Sequence, residues 1–404
     1  MNYIEKLKHY LKSHVSHVFM SSLAVIVLLY ATGSIAFPQN AAGVSATGPS
    51  DDQTELMKAA FSDKAQIVRE LLDKGVSPDL QNEKGFTPLM IASQYGYEEI
   101  VNMLLEKDAH LDIQNSGGAT ALIVATKNGH ENVVKALLAK GARVNLQTSD
   151  GVTALMLAAQ KGYENIVDAL LAQKINVNLQ TEDKVTALMI AALEGRKSIV
   201  EKLLAKNARI NTQASDGTTA LYMAARNGHT AIVNTLLARN APVDLIAANQ
   251  TTPLHVAAQN GYVKIVKALI DKGVPIDQSD QNGATALTLA ALVGQVEVVQ
   301  ILLESGAQIN HKARNGFTPL ILAAQNGQVQ VIGVLLEKGA QIDLQNDDGV
   351  TALMWAAMHD HVGAVKLLLE HHADASIKSN SGKTALEIAR HDDIIALLQS
   401  AENQ

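Results

Sequence analysis

Residues 250–277 read QTTPLHVAAQNGYVKIVKALIDKGVPID. Two short apolar runs follow one another, each opened and closed by punctuation residues. Thr252 before Pro253 reads as a helix start: the threonine side chain accepts a backbone N–H, and proline suits the first helical position. Leu and Ala then line one packing side, and Gly261 ends the run, because glycine reaches the left-handed conformation without a Cβ clash. A second run carries an Ile-Val-x-x-Leu-Ile stripe at helical spacing and stops at Gly273. Helices this short cannot bury an apolar face alone, so the stretch needs neighbours like itself.

The neighbours are in the sequence. Thr-Pro-Leu or Thr-Ala-Leu begins at Thr87, Thr120, Thr153, Thr186, Thr219, Thr252, Thr285, Thr318, Thr351 and Thr384, always 33 residues apart. A degenerate copy begins at Thr54. Eleven units therefore fill residues 52–404, ten full and one short. The expected fold is all-α, a solenoid of helix–turn–helix units joined by Asp- and Asn-containing turn loops, with a core continuous from unit to unit. Residues 52–84 form an N-terminal cap repeat, 85–381 nine regular repeats and 382–404 a short C-terminal cap repeat.

These units resemble ankyrin repeats, whose pattern runs roughly G-x-T-P-L-H-x-A-A-x-x-G-H-x-x-V-V-x-x-L-L-x-x-G-A-x-[VI]-[ND]. The resemblance implies a β-turn and two antiparallel helices per unit, a curved solenoid, a concave face that binds other proteins, and no catalysis. Several positions depart from the pattern. The histidine survives only as His255; elsewhere the position holds Met90, Ile123, Met156, Met189, Tyr222, Thr288, Ile321, Met354 or Glu387. Hydrogen bonds centred on that histidine are expected to be mostly lost. The first glycine becomes Asp63 and Asp360, and the second becomes Asp108, Lys174 and His372, so altered loop geometry is expected there.

The chain ahead of the repeats has a different character. Residues 18–37, VFMSSLAVIVLLYATGSIAF, carry no charge and follow Lys6, Lys8 and Lys12. They read as part of a signal peptide or signal-anchor transmembrane helix over 1–37, either cleaved after Ala36 or retained in the membrane. Either way the repeats face away from the cytoplasm, periplasmic, secreted or anchored outside. Residues 38–51 read as a flexible linker.

Composition narrows the function. Cysteine is absent, which removes disulfide frameworks, thiolate metal sites and thiol nucleophiles. The net charge is −7, and residues 1–17 contribute +2, leaving −9 for the rest. A body of that sign is a poor nucleic-acid binder. No nucleophile-elbow, phosphate-loop, dinucleotide or zinc-protease motif occurs, and no cofactor is expected. Asn249-Gln-Thr251 is a glycosylation sequon. His359, His361, His371, His372 and His391 form a C-terminal group that would matter only to a metal-dependent enzyme. Their helix-length separation argues against one metal site.

The candidate partner-binding residues come from the register. The last turn of the first helix presents Gln94, Tyr95, Lys127, Gln160, Lys161, Arg226, Gln259 and Gln325. The loops present Phe86, Phe317 and a glutamine column that starts at Gln81 and continues through Gln114, Gln147, Gln180 and Gln213. The column reads either as an amide ladder for a partner backbone or as a solvated residue copied with its unit. Phe86, Tyr95 and Phe317 read as interface anchors or as packing between loops. Trp355 reads as core. The expected function is a monomeric, non-catalytic protein-interaction scaffold, exported or membrane-anchored, with a secreted effector acting on another organism's proteins as the alternative.

Overall fold

The computed structural model describes residues 51–402. The signal or anchor segment and most of the linker read from the sequence lie outside them. Among the described residues there are 22 α-helices, one short 3-10 turn and no strand. No helix among them is long and apolar enough to cross a membrane.

The helices fall into two compact units divided between Asp216 and Gly217. The first holds five helix pairs: Asp51–Phe61 with Ala65–Asp73, Pro88–Tyr95 with Glu98–Glu106, Ala121–Asn128 with Glu131–Ala139, Ala154–Lys161 with Glu164–Leu171, and Ala187–Leu193 with Lys197–Ala205. The second holds six: Ala220–Arg226 with Thr230–Ala238, Pro253–Gln259 with Val263–Asp271, Ala286–Val293 with Val296–Glu304, Pro319–Gln325 with Val329–Glu337, Ala352–Met358 with Val362–Glu370, and Ala385–Ile388 with Asp392–Glu402. Within each unit, contacts run between the two helices of a pair and between like helices of adjacent pairs. Removing one buried Leu, Ile or Met from such a core costs about 2–5 kcal/mol.

The threonines do what their spacing predicts. In the first unit Thr87, Thr120, Thr153 and Thr186 cap their helices by accepting the N–H three residues on. In the second, Thr219 through Thr384 do the same. The degenerate first copy differs: its helix begins at Asp51, so Thr54 lies inside the helix rather than at its cap. The histidine-type reciprocal hydrogen bonds are mostly lost, as the sequence predicts, and remain at three of the ten positions. His255, Thr288 and Glu387 each complete a reciprocal capping box with the preceding threonine. Met90, Met156, Met189 and Met354 are buried.

Loop geometry also holds where the sequence predicted a change. Asp63, Asp108, Asp360 and His372 adopt φ of 55–63°, the left-handed conformation of the glycines they replace. Aspartate tolerates this region better than most residues. Lys174 alone departs: its helix ends early at Leu171, and its loop closes through Ile175 N–H on the Gln173 carbonyl.

Adjacent repeats are joined by two hydrogen-bond series. In the first unit Ser116, Ser149, Glu182 and Ser215 donate backbone N–H groups to the carbonyls of Lys84, Gly117, Asp150 and Asp183, at 2.9–3.1 Å. The N–H groups of His110, Arg143, Asn176 and Arg209 reach the side-chain oxygens of Asp79, Asp112, Asn145 and Asn178, each 31 residues earlier. Both series recur in the second unit, for example Arg314 on Asn282 and Gln308 on Asp277. The Asp or Asn that ends a repeat is thus a bracket for the next wherever that position offers an N–H; Pro275, 31 residues after Asp244, offers none.

Candidate functional site

The last turns of the first helices carry the candidate residues because a glycine or its stand-in ends each helix at one register. At Gly96 a second cause operates: an added Cβ would lie 2.4 Å from His130 Nδ1. That imidazole reaches over from the next repeat and donates through Nε2 to the Gln94 carbonyl, at 2.8 Å. Arg196 lies likewise against Gly162 and reaches the Gln160 carbonyl. At these two positions the following repeat closes the helix end of the one before it and fixes the direction of its last turn.

In the first unit this row runs Gln94 and Tyr95, Lys127, Gln160 and Lys161. Gln94, Lys127 and Gln160 are half-buried and Lys161 is exposed. Tyr95 is 38% exposed. Its ring meets Phe61 edge-on at 5.4 Å and stacks on Tyr97 at 5.5 Å. Burial, with Asp63 and Tyr95 nearby, raises the Tyr97 pKa. Burial lowers that of Lys127, and the Lys161 ammonium adds to the effect. Partly desolvated ammonium groups favour a carboxylate more strongly than fully hydrated ones.

Two expected anchors are elsewhere. Phe86 is only 6% exposed, packed inward just ahead of the Thr87 cap. Gln325, in the second unit, is also 6% exposed, and its carbonyl accepts from His361 Nε2 at 3.0 Å. Both lie at positions the register alone placed outward.

The glutamine column holds loops together. Gln114 donates its amide to the Gly118 and Gln147 carbonyls, at 2.6 and 2.9 Å, and Gln147 donates to those of Gly151 and Gln180, at 2.6 and 2.8 Å. Both N–H bonds of each amide are engaged within the chain, so neither can donate to a partner backbone. Gln81 donates within its own loop to Gly85. Gln180 and Gln213 are exposed.

In the second unit Arg226 and Gln259 are half-buried, and the Gln259 carbonyl accepts from Gln295. Phe317 is half-buried and tilted against Trp355 at 5.5 Å. Trp355 is core, 1% exposed, with its indole N–H unpartnered. His359 stacks on Trp355 at 5.5 Å and lies 6.2 Å from His361. His371, His372 and His391 are exposed at other helix ends. Among the described residues no group of three or more His, Asp or Glu is placed to hold a metal ion. Val293, in the first-helix row, and Ile246, where the glutamine column breaks off, are exposed apolar side chains at positions where most other repeats carry polar residues.

Capped helix pairs, hydrogen-bonded only to their neighbours at a fixed period, define a helical repeat protein. A family model of ankyrin repeats (3 copies) matches the chain in eight overlapping stretches: 28–115, 56–148, 109–183, 155–248, 188–280, 231–313, 264–346 and 320–404. The chain belongs to the ankyrin-repeat family, whose members generally bind other proteins and are generally not enzymes. No curated protein matches it.

Proposed function

We propose that this protein is a non-catalytic scaffold that works outside the cytoplasm and binds a protein partner along the first-helix row of its first unit. The observation that carries the reading is the row Tyr95, Lys127 and Lys161. An accessible aromatic stands beside two cations, on helices whose ends are locked by the following repeat. Rigid placement lowers the entropy lost on binding, and aromatic anchors dominate interface energies. Export is supported by Lys6, Lys8 and Lys12 ahead of the uncharged residues 18–37.

The test is a pull-down with the full chain against a Tyr95→Ala, Lys127→Ala, Lys161→Ala variant. The wild type should recover a partner that the variant loses by about tenfold or more. Recovery of the same proteins by both would refute the row as the site. N-terminal sequencing of the mature protein decides cleavage against anchoring, and recovery of the repeats in the cytoplasm would end the export reading.

A further inference from the structure

The C-terminal ends of the second helices form one edge of the first unit, and the charge of that edge changes along the stack. A Lys, Arg or His near the last turn is the rule, since the helix dipole favours a cation there. Most repeats put a carboxylate directly ahead of it: Asp73 before Lys74, Glu106 before Lys107, and in the second unit Asp271, Glu337 and Glu370 before Lys272, Lys338 and His371. The three repeats over residues 118–216 hold Ala139, Ala172 and Ala205 at this register instead. A second register changes over the same three repeats. The bracket residue is Asp79 or Asp112 ahead of them and Asp244 or Asp277 after them, but within them it is Asn145, Asn178 and Asn211. Asn145 and Asn178 still accept the N–H groups of Asn176 and Arg209, at 2.8 and 2.7 Å. The hydrogen bond is kept and only the charge is gone. Every other repeat over 52–381 keeps a carboxylate at one of the two registers or both.

Carboxylates are thus withdrawn from an edge that retains Lys140, Arg143, Lys174, Lys206 and Arg209. All five side chains are exposed. Among the described residues none of the five forms an ion pair; the pairs of these helices are made by Lys135 with Glu131 and by Lys202 with Glu164 and Asp168. Helices Glu131–Ala139, Glu164–Leu171 and Lys197–Ala205 lie side by side, and brackets on the Arg143 and Arg209 N–H groups fix the loops that follow. On the N-terminal side the edge is bounded by Asp108 and Asp112, which share a cavity with Lys140. The dipole accounts for a cation in each repeat. It does not account for the loss of carboxylates at two registers across one run of three.

We infer that this edge lies on the anionic headgroups of a lipid leaflet, the one facing the repeats when residues 18–37 stay in the bilayer. The inference rests on the export reading in its anchored form and adds a second contact with the same membrane. Charge selects the occupant. Lys and Arg near an anionic leaflet are attracted additively and without fixed partners, within about a Debye length of the surface. Residues 139–148, 172–181 and 205–214 contain no aromatic ring, so the edge lacks the kind of anchor that holds one peptide side chain. Exposed cations on flexible stems suit a fluid array of charges. Reach agrees. Residues 38–50 separate the uncharged segment from the first helix and span at most about 45 Å. The three repeats start two repeats further on, at about 10 Å for each packed helix.

The chain has no cysteine, so Gln173→Cys in the full chain takes a single dye beside Lys174. Ser305→Cys, at the same register in the second unit and next to Glu304, is the matched control. Each labelled chain is bound to phosphatidylcholine vesicles, with or without phosphatidylglycerol, that carry a nitroxide quencher at the headgroup. The dye at 173 should be quenched on the anionic vesicles, far less on the neutral ones, and released as salt is raised. The dye at 305 should respond equally to both. A Lys140→Glu, Lys206→Glu variant with unchanged circular dichroism should lose the quenching at 173, since each cation near an anionic surface is worth about fivefold in affinity. Equal quenching at 173 on neutral and anionic vesicles overturns the inference, and so does equal quenching in the variant. Binding of polyglutamate through Lys140 and Lys206 without any quenching on phosphatidylglycerol overturns it in favour of an acidic protein. If high salt strips the whole chain from the vesicles, the anchored reading fails, while salt-dependent quenching at 173 on phosphatidylglycerol still upholds the edge. The variant leaves Tyr95, Lys127 and Lys161 in place, so partner recovery in the pull-down stands or falls separately.

Discussion

His255 shows how much one side chain can settle. It is buried; its Nδ1 accepts from the Thr252 backbone N–H at 3.1 Å, and its Nε2 faces the Ala284 carbonyl at 3.1 Å. The neutral ring with its proton on Nε2 satisfies both. Protonation would place a second N–H against the Thr252 donor, in a site with little water. Burial accordingly lowers the His255 pKa below the usual histidine value, against the weaker opposing pull of Asp280. The unfolded chain therefore takes up a proton near pH 6.5 that the native state refuses. The resulting stability is intact above that pH and is lost below it, at no more than about 1.4 kcal/mol per pH unit. His255→Met copies what Met90, Met156, Met189 and Met354 do in other repeats. It should be less stable than wild type by about 1 kcal/mol at neutral pH through loss of the reciprocal cap. That gap should close as urea melts are repeated toward pH 5. A gap independent of pH would show that the ring titrates normally.

At the scale of the element, the turn loops join one repeat to the next, and Gly118 is among the most exacting positions in them. Its φ is +76°, and an added Cβ would lie 2.7 Å from the Ser149 backbone nitrogen. That nitrogen makes the inter-loop bond to Gly117. Gly118→Ala should therefore cost about 2 kcal/mol or more, combining backbone strain with displacement of the next loop. The matched control is Gly141→Ala, where φ is +91° and the space is open, so only the strain remains. Equal losses in denaturant melts would mean that loop contact contributes nothing. The sequence made these loops legible as turns, since Gly, Asn and Asp carry that meaning locally. It did not show that Asp112 serves Arg143, or that Gln114 serves Gln147, because those partners lie 31 and 33 residues away and only stacking brings them together. The same blindness explains Phe86 and Gln325. Register fixes a side chain's place in its own repeat, whereas its depth depends on the repeat beside it.

For the whole molecule, the 33-residue step was readable because caps and glycines act through the backbone, whatever the packing around them. The candidate row was readable in position and only partly in role: Tyr95, Lys127 and Lys161 hold their places, while Gln81, Gln114 and Gln147 of the column bind the chain's own carbonyls. Nearest-neighbour contact makes the stack divisible. Deleting residues 151–183 removes the helices Ala154–Lys161 and Glu164–Leu171 and joins Asp150 to Lys184, which holds the same left-handed turn position as Gly151. The shortened protein should still unfold cooperatively, with a smaller denaturant slope, a lower midpoint and a helical signal reduced by about the share of one repeat. Loss of all helical signal would contradict a stack held by adjacent contacts.

The seam of loop hydrogen bonds also has a mechanical meaning. Within the first unit, each crossing from one copy to the next is made through the same two kinds of bond, so tension along the backbone meets similar resistance at each. Such a body yields copy by copy, each release paying out about 100 Å of slack, and it re-forms when the load drops. Fixed at one end and tugged at the other, it would behave as a ratcheted spring.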